Sequence, residues 1–122
     1  MLKIYGVHRA RATRVYWLAG ELGLTCEKIP VLQAYKLDEA AYRGARFRDW
    51  PCDLKGNNDL LVLTQPAIVR EVHARYLAAG ADIIETNTFS SSAPAQGDYR
   101  MEGVVVELNR VSAQLAREAA DE

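Results

Sequence analysis

Four hydrogen-bonding side chains stand in a row at Glu85, Thr86, Asn87 and Thr88, directly after the apolar pair Ile83 and Ile84. In parallel α/β sheets, ligands bind beyond the carboxyl ends of the strands, where side chains leave the packed sheet and face a crevice. A strand that turns polar only at its C-terminal end therefore points at a site. A second reading stands beside it, in which Thr86 and Thr88 are β-formers on one face and Asn87 caps the following loop.

A second group lies near the start of the chain. Met1 to Val31 carries Lys3, Arg9, Arg11, Arg14 and Lys28 against Glu21 and Glu27. Arg11, Thr13 and Arg14 fall at a helix start, where an anion could be held; a solvated basic face is the plainer reading. Cys26 and Cys52 are too few for a disulfide scaffold and lack the partners of a structural zinc site. His8 reads as a solvated loop residue and His73 as a helix-packing residue. Trp17 and Trp50 read as core anchors. The run "GNND", Gly56 to Asp59, reads as a turn without phosphate-loop spacing.

The elements that must position these residues follow from the pattern. Leu2, Ile4 and Tyr5 suggest a short strand broken by Gly6. Val15, Leu18 and Leu22 give one helix face, with Gly23 as its stop, and "CEKIPV" (Cys26 to Val31) a second strand. "KLDEAAYRG" predicts a short helix closed by Gly44. Residues 45–63 read as a long ordered loop anchored by Phe47, Trp50, Leu54 and Leu60 to Leu63. Pro66 opens a helix with Ile68, Val69, Val72, Tyr76 and Leu77 on one stripe, a Glu71–Arg75 pair and a stop at Gly80. The strand ending in "ETNTF" comes next, then a polar loop, "SSSAPAQG". A last helix takes Asp98 as N-cap and buries Met101, Val105, Leu108, Val111 and Leu115. The order is β-α-β-(insertion)-α-β-α, an α/β arrangement with parallel pairing and right-handed crossovers.

The 122 residues suit one compact domain, and 49% hydrophobic with 25% charged residues is an ordinary globular composition. A net charge of −1 offers no global attraction to nucleic acid. No apolar run reaches the roughly 18 residues of a membrane span. Nor does an apolar segment resembling a secretory signal stand at the N-terminus, so the expected compartment is the cytoplasm.

Three strings carry a resemblance: "YRGARFRDWPCDLKGNNDLLVLTQP", "AGADIIETNTFSS" and the last helix from "DYRME" to "LAREAADE". From about Leu32 to the end, the chain resembles the N-terminal homocysteine-binding module, a homocysteine S-methyltransferase, of cobalamin-dependent methionine synthases. Residues 1–31, through "LKIYG", "RATRVYWLAGELGL" and "CEKIPV", are similar to the thioredoxin-like start of bacterial glutathione S-transferases. The combination reads as a chimera with its seam near Val31 to Gln33. The "EKIPV" strand then stands where the methyltransferase barrel has its first strand. The fold expected is three parallel strands in the order 1-2-3, strand 2 central, forming a partial (β/α)-barrel-like sheet.

The methyltransferase resemblance implies methyl transfer from methylcobalamin, held on a separate module, to the homocysteine thiol, activated as a zinc-bound thiolate. It places Thr86, Asn87 and Thr88 at the homocysteine pocket, with Glu85 turned the other way by strand alternation. The family's zinc cysteines lie in later barrel strands, and neither Cys26 nor Cys52 matches them. A full barrel takes roughly 250 residues. The expectation is thus an incomplete methyltransferase fragment, inactive alone, with no catalytic or metal-binding residue, no cofactor of its own and at most weak homocysteine binding. The transferase resemblance implies a thiolate-stabilising hydroxyl near the first helix, but Ala10 occupies the usual serine place and Thr13 is the nearby hydroxyl. It supplies the alternative, a module binding glutathione or another small thiol at Arg11, Thr13 and Arg14.

An open barrel fragment leaves strand edges and apolar helix faces uncovered, which favours pairing of copies. The expected outcome is a homo-oligomer in size-exclusion chromatography with light scattering; a clean monomer contradicts it.

Overall fold

A computed structural model describes residues 1–6, 12–29 and 37–121. The chain divides into two compact units, Met1–Gln33 and Ala34–Glu122.

The first unit is a β-α-β arrangement: β1 (Leu2–Tyr5), α1 (Ala12–Glu21) and β2 (Cys26–Ile29). The strands pair in parallel, Leu2 opposite Cys26 through Tyr5 opposite Ile29, and the Gly6 amide continues the ladder onto the Ile29 carbonyl at 3.0 Å. The helix stops where the sequence predicts. Gly23, at φ 63°, donates to the Gly20 carbonyl, and Leu24 donates to the Ala19 carbonyl at 2.8 Å. These two bonds satisfy carbonyls that the helix end would otherwise strand. The end of the "CEKIPV" strand at Pro30 and Val31 lies outside the described residues.

The buried face of α1 is not the expected one. Val15, Leu18 and Leu22 are exposed, whereas Ala12 and Tyr16 are half-buried and Ala19 is buried. The inward stripe is rotated by one residue, about 100° around the helix. A sheet of two short strands offers only a narrow face, so small residues and one tyrosine suffice to cover it. The Tyr16 hydroxyl lies 3.1 Å from the Gly6 carbonyl, and Lys28 sits 5.3 Å from the Tyr16 ring centre. Trp17 is no core anchor: it is 70% exposed and donates to Glu21 on its own helix.

The second unit is helical. Asp38 caps α2 (Glu39–Arg43) by accepting from the Ala41 amide at 2.8 Å, and Gly44, at φ 56°, closes it. A Cβ on Gly44 would press on the Thr64 Cβ at 3.2 Å, so the glycine serves close approach as well as the turn. A 3₁₀ turn (Asn58–Leu60) leads into α3 (Leu61–Thr64) and α4 (Pro66–Ala78), with Pro66 in the first turn. Then come α5 (Ala93–Gly97), a 3₁₀ turn (Glu102–Val104) and α6 (Val105–Asp121). Tyr42, Phe47, Leu54, Leu60, Leu61, Val62, Val69, Met101, Leu108 and Leu115 form one buried cluster, with Trp50, Leu63 and Val111 packed against it.

The long segment between α2 and the first 3₁₀ turn is ordered, and its order comes from side chains. Arg43 donates to the Arg48, Trp50 and Cys52 carbonyls at 3.1, 2.7 and 2.9 Å. Glu39 takes the Leu54 and Lys55 amides at 2.8 and 2.7 Å and pairs with Arg43 at 2.6 Å. Burial pushes the Glu39 carboxyl up, but those two amides and the guanidinium outweigh it and hold it below its usual value. Trp50 is an anchor as expected: it meets Phe47 edge-on, ring centres 5.6 Å apart, and donates to the Tyr99 carbonyl.

Several expectations are corrected here, among them the reading of residues 45–63 as loop throughout, since a 3₁₀ turn and the start of α3 occupy its last six positions. Among the described residues the sheet has two strands, not three, and the order 1-2-3 and a barrel-like sheet are not formed. Residues 81–88 adopt no strand, and Ile83 is 86% exposed. A strand exists only against a partner's amides and carbonyls, and the second unit supplies no other strand among its described residues. "SSSAPAQG" is not all loop, because Pro94 sits in the first turn of α5. Asp98 therefore follows α5 and is not the cap of the last helix, which begins at Val105.

On α4 the buried positions are Val69 and His73, one turn apart, while Tyr76 is 46% exposed. The His73 Nε2 is enclosed with no hydrogen-bond partner among the described residues, and burial holds the imidazole below its ordinary value. The end of α5 repeats the closure seen at Gly23, but with Arg100 at φ 56°, its amide on Gly97 and the Met101 amide on Gln96.

Two outcomes are expected. Arg100→Gly relieves left-handed strain of roughly 1–2 kcal/mol against a glycine entropy cost of about 0.5–1, a net gain of about 0.5–1 kcal/mol in urea unfolding. Burial lowers the folded His73 below its ordinary value, so the unfolded chain takes up its proton first as pH falls through 6.5. Stability is then fully present above that pH and declines on acidification, at up to about 1.4 kcal/mol per pH unit, until the folded imidazole itself protonates. Denaturation midpoints across that range check it: His73→Leu removes this part of the slope.

Candidate functional site

The segment Glu85 to Ser91 joins α4 to α5 and carries no regular structure up to the turn at Phe89. With no strand partner, its backbone and polar side chains are held from both sides by groups distant in sequence. Thr86 and Thr88 are brought together, hydroxyl to hydroxyl at 2.8 Å, and the Thr88 amide donates to the Thr86 carbonyl. Thr86 is exposed, while Asn87 and Thr88 are half-buried. The Asn87 carboxamide donates to the Asn58 carbonyl at 2.9 Å, so it is turned into the protein as a tie. Thr86 and Thr88 are thus not β-formers on one strand face; Asn87 ties the loop inward, and the two threonine hydroxyls meet at its exposed side. Glu85 is exposed.

The groups that hold this loop escaped the sequence reading. On one side stands "GNND". The Asp59 carboxylate, in a residue only 4% exposed, accepts from the Ser90 amide and the Ser91 hydroxyl, both at 2.7 Å and both on Oδ2. Asn57 and Gln96 exchange carboxamide bonds of 2.8 and 3.1 Å in full burial, and Gln96 also donates to the Ser90 carbonyl at 3.0 Å. The Tyr42 hydroxyl fixes the Asn58 side chain at 2.8 Å. On the other side stands α6. Ser112 donates to the Asn87 carbonyl at 3.0 Å and Asn109 to the Ser91 carbonyl at 2.8 Å. The signal available in sequence was a run of carboxamide and carboxylate residues beside Leu60 to Leu63. Its burial depends on partners some 30 to 40 positions away, which local pattern does not reveal.

The basic group is placed differently. Thr13 and Arg14 lie exposed in the first turn of α1, and Arg11, like His8, falls outside the described residues.

The described residues do not fit a zinc site. Among the described residues no group of three His, Cys, Asp or Glu side chains is placed to hold a metal ion. The Cys52 thiol donates to the Tyr99 carbonyl at 3.2 Å, and Cys26 lies on β2 in the other unit. Nor is any helix of the described residues long and apolar enough to cross a membrane.

Comparison with known families gives one assignment. The sequence model of the family described as homocysteine S-methyltransferase matches residues 20–122. The match takes in every residue that ties down the 86–91 loop. It begins at Gly20, inside α1 and upstream of the expected seam at Val31 to Gln33, and lends no support to a glutathione S-transferase-like segment. Extending over most of the chain, it shows that the chain belongs to the homocysteine S-methyltransferase family.

Proposed function

We propose that the 86–91 loop is a homocysteine-facing rim of a methyltransferase-family fragment, with Thr86 and Thr88 as its ligand-facing groups and Asn87 as its anchor. The observation that carries this reading is the clustering of the two threonine hydroxyls on a loop pinned at both flanks. Homocysteine offers an ammonium, a carboxylate and a thiol. A hydroxyl pair can donate to the carboxylate or accept from the ammonium, and in a pair 2.8 Å apart one hydroxyl proton stays free for a ligand.

Within the family, the strings from "YRGARFRDWPCDLKG" to "LAREAADE" favour the homocysteine-binding module of cobalamin-dependent methionine synthases. In that setting methylcobalamin on a separate module would supply the methyl group, and zinc held elsewhere would activate the thiol. The residues described here offer no zinc ligands, so no step of the reaction is assigned to them. What they contribute is binding and orientation at the amino-acid end of the substrate. We therefore take the chain to be inactive by itself.

Calorimetric titration with L-homocysteine tests the reading. Weak saturable binding is expected, with Kd of about 1 mM or above. Thr86→Ala with Thr88→Ala removes the hydroxyl contacts and weakens it about fivefold or more, one to two ordinary hydrogen bonds. Homocysteine methylation by the pure chain with methylcobalamin stays at the uncatalysed rate. Absence of any saturable heat overturns the binding role, and measurable methylation overturns the inactivity.

A further inference from the structure

Asp59 is a buried carboxylate with both of its hydrogen bonds on one oxygen and both donors in the candidate rim, the Ser90 amide and the Ser91 hydroxyl. Its neighbours in "GNND" reach the same loop: Asn58 through its carbonyl to Asn87, and Asn57 through Gln96 to the Ser90 carbonyl. Three consecutive residues of one turn thus hold three points of a loop some 30 positions further along. The loop makes no sheet bonds among the described residues, so these ties, together with those from Ser112 and Asn109 on α6, fix where Thr86 and Thr88 stand. Bonds to a charged acceptor are shorter and stronger than neutral ones, and at 2.7 Å these two are of that kind.

We infer that Asp59 is the positioning residue of the substrate rim: its carboxylate holds Ser90 and Ser91, and through them sets the Thr86–Thr88 hydroxyl pair for ligand. This rests on the reading of that loop as the homocysteine rim. Asp59 touches no substrate. It acts through the loop, and its loss lowers affinity without moving the hydrophobic cluster.

The experiment joins a ligand-free readout to a binding one, in the full chain. Amide exchange by NMR is followed at Ser90 and Ser91, with α4 and α6 as internal references, and L-homocysteine affinity is measured well below the melting temperature. In Asp59→Ala the Ser90 amide loses protection, α4 and α6 keep theirs, and affinity falls about tenfold, less than the two lost charge-assisted bonds because Asp59 acts on the ligand only through the loop. Asp59→Asn places a carbonyl oxygen where Oδ2 stands and restores most of both. Should Asp59→Ala fail to fold, Ser91→Ala removes the hydroxyl tie alone and lowers affinity severalfold at an unchanged melting temperature. An unaltered Ser90 amide in folded Asp59→Ala, or an affinity within twofold of the parent, overturns the inference. A parent chain that binds no homocysteine overturns the rim reading and the ligand half of the inference with it; the Ser90 exchange then shows separately whether Asp59 holds the loop.

Discussion

Packed backbone must be hydrogen-bonded, and in this protein much of it has no sheet to bond with. A buried amide or carbonyl without a partner costs on the order of 1–3 kcal/mol, so irregular segments persist against a core only where something else takes the bonds. Here side chains do so. Glu39 and Arg43, one turn apart on α2, accept from the Leu54 and Lys55 amides and donate to the Arg48, Trp50 and Cys52 carbonyls. Asp59, Gln96, Ser112 and Asn109 do the same for residues 87 to 91.

Two consequences follow for the second unit. Its apolar cluster can draw on residues from loops as well as helices, because Phe47, Leu54 and Met101 are delivered by segments whose backbone is already satisfied. Its polar interior is a set of closed pairs rather than isolated groups. The Asn57–Gln96 exchange and the Asp59 ties leave their donors and acceptors matched, which rigidifies a core and specifies one arrangement of it. His73 is the exception, with its Nε2 enclosed and unpartnered among the described residues.

The family assignment gives this architecture a meaning. A rim built from a loop must be held in place if it is to select a ligand, since small displacements weaken every contact at once. In this chain the loop proposed as such a rim and the groups that hold it both lie inside the family match at residues 20–122. The match also begins within α1, upstream of the seam expected at Val31 to Gln33.

Much was legible in the sequence. Asp38 and Gly44 mark the bounds of α2, Gly23 the end of α1 and Pro66 the start of α4, because caps and breakers act within a few residues of themselves. The anchors Phe47 and Leu54 were legible too, since long apolar side chains in a loop have few other places to go, and so was the burial of Leu60 to Val62, although a 3₁₀ turn and α3 carry them rather than a loop. The face of α1 was missed by one residue, because which stripe is covered depends on the width of the sheet beneath it. The strand expected at residues 81–89 was missed because strand is a property of a pair, and no partner is described in its unit. The same reason governs the site. Sequence alone determined that Thr86, Asn87 and Thr88 are polar, adjacent and preceded by an apolar pair. Only the tertiary structure decided that Asn87 turns inward and that Asp59 is buried against Ser90 and Ser91, because those facts rest on bonds closed between residues about 30 positions apart.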